Sequence, residues 1–97
     1  MARLVQKHDL FLIGDEVYKE FVYDGLVHKS VLEFEKIEDR AIVCDSISKR
    51  FSCCGARVGA LITRNKDISS AVLRFAQARL CPPSVEQRAA LAAYRMG

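Results

Sequence analysis

The sequence has no long hydrophobic run and no cluster of basic residues. Its longest apolar stretches, residues 10–13 and 41–44, fall far short of the roughly 20 residues that a membrane-spanning helix requires. The 15 lysines and arginines are interleaved with 12 aspartates and glutamates, and the net charge is only +3. We therefore expect neither a membrane segment nor a nucleic-acid surface. The start of the sequence also lacks a signal-peptide pattern, so we expect a cytoplasmic location.

Cysteine and histidine are too sparse to predict a metal site. The four cysteines are Cys44, Cys53, Cys54 and Cys81. No two of them form a C-x-x-C pair, and neither His8 nor His28 has a partner at metal-ligand spacing. Since 51% of the residues are hydrophobic, a core can form without disulfides. We expect reduced cysteines packed as small apolar side chains, and histidines that are ordinary surface or loop residues.

Three short apolar runs are predicted to be strands of one small domain. Residues 10–14 and 41–44 are continuously apolar, which is typical of strands covered on both faces of an α/β sheet. Residues 58–63 form the third run. The first two runs end in polar residues, and ligand sites in open α/β sheets gather at the carboxyl ends of strands. We therefore expect the chemistry at this edge of the sheet.

Two helices are predicted after the third strand. Apolar residues recur with helical spacing from Ile68 to Ala76, and Asn65 is placed to cap that helix. Prolines at 82 and 83 end it, and residues 84–87 read as a capping box that opens a second helix through about Tyr94. Between the first two strands, residues 23–25 indicate a turn and residues 29–34 a short helix. The predicted fold is α/β, with two parallel strands, one antiparallel strand and flanking helices.

Polar residues follow the strand ends in three groups. The residues with chemical potential are Asp15, Tyr18, Ser46, Ser48, Lys49 and Arg57. A lysine directly after a buried strand can lose hydration, which favours a nucleophilic neutral amine. Serine hydroxyls and an arginine fork suit a phosphate, and a carboxylate at a neighbouring strand end can face a cationic ring nitrogen. Together these groups indicate a site for a phosphorylated, pyridine-type cofactor held by a lysine.

The three groups resemble motifs of the fold-type I pyridoxal-phosphate enzymes, and in particular of the class I and II aminotransferases. Asp15 and Tyr18 are similar to the family's D-x-x-Y, residues 46–49 to its S-x-S-K, and residues 55–59 to its G-x-R-x-G. The 34-residue separation of Asp15 from Lys49 and the eight-residue step to Arg57 are also similar to the family's spacing. The resemblance extends from about residue 9 to residue 94.

The resemblance implies a role for each of these residues. Lys49 would form a Schiff base with pyridoxal 5'-phosphate and would later move a proton between the substrate and the cofactor. Asp15 would pair with the protonated ring nitrogen, which keeps the ring an effective electron sink. Tyr18 would hydrogen-bond the phenolic oxygen of the ring. The phosphate would be held by Ser46, Arg57 and, as a weaker candidate, Ser48.

The resemblance also implies that residues 1–97 are one part of a larger enzyme, because the family's enzymes are several times longer. The chain would be the cofactor-lysine part of the large domain, with no second domain. The parent enzyme would be a homodimer that transfers an amino group between an amino acid, with aspartate expected, and a 2-oxo acid. The chain by itself would make few substrate contacts, so we expect it to be inactive or weakly active.

Three alternative functions remain open at this stage. Aminocyclopropane-carboxylate synthases and carbon–sulfur lyases share these motifs and the cofactor. The chain could also be a non-catalytic truncated product or an interaction module. A phosphate-binding domain without pyridoxal chemistry would need Ser46 and Arg57 but not Asp15 or Tyr18.

Each residue also has an ordinary structural interpretation. Asp15 and Ser46 could cap turns or helices, and Tyr18 could be a core aromatic. Lys49 could form a solvated basic pair with Arg50. Arg57 could form an ion pair with one of two acidic residues, Glu16 or Asp45.

Overall fold

A computed structural model describes residues 1–96 as a small α/β unit. The helices and strands, in chain order, are α1 (Ala2–Lys7), β1 (Leu12–Asp15), β2 (Ala41–Ser46), α2 (Ile47–Arg50), β3 (Gly59–Thr63), α3 (Lys66–Arg79) and α4 (Ser84–Met96). Two single 3-10 turns lie at Val31–Glu33 and Cys54–Ala56.

The strands form one mixed sheet in the order β1-β2-β3. β1 runs parallel to β2, with Asp15 opposite Cys44. β3 runs antiparallel to β2, with Gly59 opposite Ser46. The carboxyl ends of β1 and β2 and the beginning of β3 therefore meet at one edge of the sheet. The predicted α/β class, with a parallel pair and one antiparallel strand, is confirmed.

The core centres on β2. Its side chains at Ala41, Ile42 and Val43 are all buried, so this strand is covered on both faces as its continuous apolar run predicted. The same prediction is wrong for β1, because Ile13 is 65% exposed. Residues 59–62 of β3 are exposed as well. β1 and β3 are the two outer strands of this sheet, and the buried core lies against the middle one.

The predicted helices α3 and α4 are present, but only the first begins as expected. Asn65 Oδ1 accepts the backbone N–H groups of residues 67 and 68, both at 3.0 Å, and so caps α3. The capping box predicted for α4 is wrong, since Ser84 is its first helical residue. Gln87 instead donates its backbone N–H to the carbonyl oxygen of Pro83 and its side-chain amide to that of Pro82. The proline carbonyls thus replace the serine hydroxyl as acceptors.

The connections between β1 and β2 agree with the sequence in outline. A turn at residues 23–25 is confirmed by a 3.1 Å bond from the Leu26 N–H to the Tyr23 carbonyl oxygen. The predicted short helix is a single 3-10 turn, capped reciprocally by Ser30 and Glu33. The N-terminal helix α1 was not predicted, because its six residues bury one side chain, Val5, and show no periodicity.

All four cysteines are free thiols, but the prediction that they pack in the core is wrong for most of them. Cys44 is half-buried on β2, whereas Cys53, Cys54 and Cys81 are exposed. Within residues 1–96, no group of three or more histidine, cysteine or acidic side chains is arranged to hold a metal ion. Across the same residues, no helix has both the length and the apolar character needed to cross a membrane.

Candidate functional site

Ser46 fixes the turn that follows β2. Its Oγ accepts the backbone N–H of Ser48 at 3.0 Å and therefore caps the single-turn helix α2. The same oxygen lies 2.7 Å from Ser48 Oγ and 3.2 Å from the carbonyl oxygen of Val58, next to the start of β3. The capping role considered for Ser46 is therefore real, and the cap determines where Lys49 projects from the last turn of α2.

Lys49 contacts the aromatic ring of Tyr18. Its Nζ lies 5.6 Å from the ring centroid, within the range of a cation–π interaction. Both side chains are exposed, so the interpretation of Tyr18 as a core aromatic is wrong. Since Lys49 is exposed, burial does not remove water from its amine in this chain. The edge-on ring of Phe21, 5.8 Å away, is a further neighbour of Tyr18.

Asp15 is the last residue of β1 and lies at the same sheet edge. Its carboxylate is exposed, and Oδ1 is 3.5 Å from the backbone nitrogen of Val17, the outer limit of a hydrogen bond. The cap considered for Asp15 is therefore weak. In the strand register Asp15 faces Cys44, two residues before Ser46.

Arg57 lies on the far side of the edge, just before β3. Its backbone is left-handed, with φ 55° and ψ 36°, and Nη1 donates to the carbonyl oxygen of Cys54 at 2.7 Å. The exposed side chain lines an open groove together with Arg79. The ion pairs considered for Arg57 are wrong, because the two acidic residues have other partners: Glu16 lies beside His28, and Asp45 beside Lys19.

The structure brings some of the six predicted residues into contact and places the others nearby. Tyr18 contacts Lys49, and Ser46 contacts Ser48. Within residues 1–96, Asp15 ends β1 and Arg57 precedes β3, and neither forms a hydrogen bond or ion pair with the other four. A cavity of about 60 Å³ between Ser46 and Tyr94 is too small for a cofactor, given that ligand pockets measure roughly 300 Å³ or more. The groove beside Arg57 measures about 370 Å³ but is open to solvent. A cofactor on this chain would lie on its open surface.

Several residues that support this edge were missed by the sequence analysis. Lys19 Nζ lies 2.5 Å from Asp45 Oδ2, and Arg50 Nη2 lies 2.6 Å from Glu20 Oε1. Arg50 also lies 5.0 Å from the ring centroid of Tyr94, so its interpretation as a solvated cation is wrong. The sequence did contain a signal for these ion pairs. Residues 19 and 20 follow the D-x-x-Y motif, and residues 45 and 50 flank the S-x-S-K motif with charges opposite to theirs.

A buried glutamate ties the loop before β2 to the end of β1. Glu16 Oε1 accepts the backbone N–H of Val31 at 2.8 Å and the hydroxyl of Ser30 at 2.9 Å, while His28 Nε2 lies 3.1 Å from Oε2. Burial alone raises the pKa of Glu16, but these three partners outweigh it and leave the pKa below its ordinary value. His28 lies in a loop as predicted, but half-buried against this carboxylate.

A comparison with known families is decisive for classification. The family model described as aminotransferase class I and II matches residues 1–96. The chain belongs to this family. Members of the class I and II aminotransferase family use pyridoxal phosphate.

Relatives within the family agree in fold and differ in name. The chain is 34% identical over 94 residues to an aspartate aminotransferase of Sulfurisphaera tokodaii, covering 97% of this chain and 23% of that protein. It is 35% identical over 98 residues to a probable N-acetyl-LL-diaminopimelate aminotransferase of Bacillus subtilis, covering 100% of this chain and 24% of that protein. The solved structure of an aromatic aminotransferase of Pyrococcus horikoshii OT3 superimposes with a TM-score of 0.88 at 33% identity. The match covers 97% of this chain and 25% of that one. This aminotransferase-family chain thus spans about a quarter of the length of these relatives.

The groups at the sheet edge fit the family's cofactor by their chemistry. The exposed amine of Lys49, the phenol of Tyr18 and the carboxylate of Asp15 lie at the ends of β1 and β2. They match, in that order, the aldehyde, the phenolic oxygen and the ring nitrogen of the cofactor. The Ser48 hydroxyl, whose oxygen accepts the O–H of Ser46, and the Arg57 guanidinium, with one N–H used by Cys54, are donors suited to a phosphate.

Proposed function

We propose that the chain is the cofactor-lysine part of the large domain of a pyridoxal-phosphate aminotransferase, and that Lys49 holds the cofactor covalently. The observation that carries this proposal is the contact between the amine of Lys49 and the ring of Tyr18 at the carboxyl ends of β1 and β2. Family membership supports the choice of cofactor, and this contact supports the choice of residues.

In this proposal the role of each residue follows from the chemical group of its side chain. Bound pyridoxal phosphate supplies an electron sink that makes the α-proton of an amino acid acidic. The Lys49 amine would hold the cofactor through its aldehyde group, and Lys49 Nζ would carry the proton taken from the substrate. Asp15 would accept the N–H of the cofactor ring, and the Tyr18 hydroxyl would donate to the phenolic oxygen of the cofactor.

The phosphate is assigned to Ser46, Ser48 and Arg57. The bond between the two serine hydroxyls uses the O–H of Ser46 and leaves the O–H of Ser48 as a donor at the start of α2. Arg57 would contribute the guanidinium donors that Cys54 leaves available, and charge-assisted bonds of this type are about twice as strong as neutral ones.

The activity of the whole protein is part of the proposal, since the chain spans about a quarter of its relatives. We propose amino-group transfer between an amino acid and a 2-oxo acid, carried out by a homodimer; the name of one relative favours aspartate as the amino acid. The relatives named above are all aminotransferases, which supports this reaction over the synthase and lyase alternatives. The cytoplasmic location stays a prediction.

Lysine-directed labelling tests the proposal. The purified chain is mixed with pyridoxal phosphate, the visible absorbance band is recorded, and borohydride then fixes the adduct for peptide mapping. We expect the label at Lys49 and loss of the band in Lys49→Ala. Lys29→Ala is the matched control, because Lys29 also lies over an aromatic ring, 5.8 Å from the centroid of Phe34, but belongs to none of the three motifs.

The alternatives predict different results in the same experiment. Labelling spread evenly over surface lysines, and unaffected by Lys49→Ala, would contradict the proposal and favour a non-catalytic module. Saturable binding of inorganic phosphate that depends on Arg57 but not on Asp15 or Tyr18 would favour a phosphate-binding domain.

A further inference from the structure

Two ion pairs connect the turn after β1 to the segment around α2. The first joins Lys19 to Asp45, and the second joins Glu20 to Arg50, with nitrogen–oxygen distances of 2.5 and 2.6 Å. Lys19 and Glu20 directly follow Tyr18, while Asp45 and Arg50 lie on either side of the segment that ends in Lys49. The two pairs therefore bracket the contact between Tyr18 and Lys49.

Asp45 links the first pair to the Ser46 cap. Its side chain is only 6% exposed, and Oδ1 accepts the backbone N–H of Ser46 at 2.8 Å while Oδ2 faces Lys19. One buried carboxylate thus contacts both the turn of Tyr18 and the residue that caps the helix of Lys49. Such an arrangement sets the position of one turn relative to the other.

Arg50 is held in place on the other side of the second pair. Its guanidinium carbon lies 5.0 and 5.6 Å from the ring centroids of Tyr94 and Phe51, which pack edge to face with each other. Glu20 therefore meets a guanidinium that is already oriented by stacking, so less conformational freedom is lost when the pair forms.

We infer that these two ion pairs are positioning groups that hold Tyr18 over Lys49. Tyr18 is 59% exposed and packs edge-on against Phe21, so burial does not fix its ring and the turn that carries both rings must be held in place. The inference deepens the proposed function and depends on it for the roles of Tyr18 and Lys49. The positioning itself is a property of the chain without cofactor.

The test begins with the cofactor-free chain. A proton held over an aromatic ring has a shifted NMR resonance, so the side-chain methylene protons of Lys49 report the position of Tyr18. The variants are Glu20→Gln, which removes one pair, and Lys19→Met combined with Asp45→Asn, which removes the other. Lys19→Met by itself would leave Asp45 buried without a cation and is expected to unfold the chain. The double variant avoids this loss and retains an oxygen for the Ser46 N–H.

The control is Asp9→Asn, which breaks the 2.6 Å pair between Arg40 and Asp9 at the opposite end of β2. Lys19→Arg keeps the cation and should keep the wild-type resonance. In Glu20→Gln and in the double variant, the Lys49 resonances should move towards their values in Tyr18→Leu. The dissociation constant for pyridoxal phosphate should rise by roughly two- to fivefold in Glu20→Gln, the range expected from a partly exposed ion pair, and by at least as much in the double variant, because Asp45 is buried.

Two results separate the inference from the proposed function. Wild-type Lys49 resonances and an unchanged dissociation constant in both folded variants would overturn the inference and leave the cofactor assignment intact. If the resonances move as expected but the wild-type chain forms no adduct at Lys49, the positioning stands and the proposed function fails.

Discussion

The backbone of Arg57 has an unusual conformation for a residue with a side chain. Its φ of 55° lies in the left-handed region, which costs a non-glycine residue about 1–2 kcal/mol. Strain of this kind is common at binding sites, where the position of a side chain matters more than the stability it contributes. Leu80, with φ 68°, has comparable strain at the end of α3 and lies outside all three motifs.

Arg57→Gly is expected to separate binding from stability. Glycine relieves the strained backbone, while the bond to the Cys54 carbonyl is lost, so the free energy of unfolding should change by less than about 1 kcal/mol. Loss of the guanidinium should raise the dissociation constant for pyridoxal phosphate about 10- to 100-fold, because a hydrogen bond to a charged group contributes about 1.5–3 kcal/mol. Urea unfolding and absorbance titration measure the two quantities.

Leu80→Gly is the matched control for this prediction. This substitution should stabilise the chain by about 1 kcal/mol, because the backbone of Leu80 has a conformation that glycine adopts readily and other residues do not. The cofactor affinity should stay at the wild-type value, because Leu80 lines the groove beside Arg57 but offers no hydrogen-bond donor to a phosphate. Equal losses of affinity in both glycine variants would show that the effect of Arg57→Gly comes from the backbone and not from the guanidinium.

At the scale of elements, β1 and the 3-10 turn Val31–Glu33 approach each other unusually closely. A Cβ atom on Gly14 would lie 2.9 Å from both methyl carbons of Val31 and 3.2 Å from Glu16 Oε1. This close approach allows the Val31 N–H to reach the carboxylate of Glu16. The glycine of β1 is therefore required by packing, and its φ is not left-handed.

Gly14→Ala should destabilise the chain by about 1–3 kcal/mol, because valine is branched at Cβ and cannot rotate away easily. Gly55→Ala is the matched control, since a Cβ there meets nothing within 4 Å. That variant should change the stability by less than about 1 kcal/mol. Similar urea midpoints for the two variants would contradict the packing argument.

Glu16 should make the connection between β1 and the 3-10 turn sensitive to acid. Its pKa is lowered in the folded chain, so the ionised carboxylate adds stability above the ordinary glutamate pKa of about 4.3. That contribution is lost as the pH falls from there through the lowered folded value. At neutral pH, Glu16→Gln should cost about 1–3 kcal/mol in the free energy of unfolding.

The difference between Glu16→Gln and wild type should shrink in acid, and urea unfolding at several pH values measures it. Asp9→Asn is a suitable comparison, because Asp9 is 84% exposed and its ion pair with Arg40 should contribute little at any pH. A difference for Glu16→Gln that stays constant across the acid range would contradict the assignment of a lowered pKa.

At the scale of the whole molecule, the chain exposes more surface than its mass predicts. A folded monomer of 10.9 kDa is expected to expose about 5,600 Å², whereas this chain exposes 7631 Å². Large apolar side chains contribute to the excess, among them Ile13 on β1 and Phe75 on α3, which are 65% and 74% exposed. The excess is as large as a stable protein–protein interface.

We therefore expect the isolated chain to associate with itself or to be only marginally stable. Sedimentation velocity over a range of concentrations should show species larger than a monomer, and the thermal transition should be broad. A single monomeric species with a sharp two-state transition would contradict this expectation. Ile13→Lys should reduce association, because it places a charge on the exposed face of an outer strand.

The sequence by itself determined the order and type of the main elements and the identity of the six candidate residues. Apolar runs, the Asn65 cap and the three motifs depend on local chemistry, so they can be read from neighbouring residues. The tertiary structure decided which strand is covered, because coverage depends on the elements that pack against it. It also decided the partners of Asp45, Glu16 and Arg50, since an ion pair forms between residues that the fold brings together from distant parts of the chain.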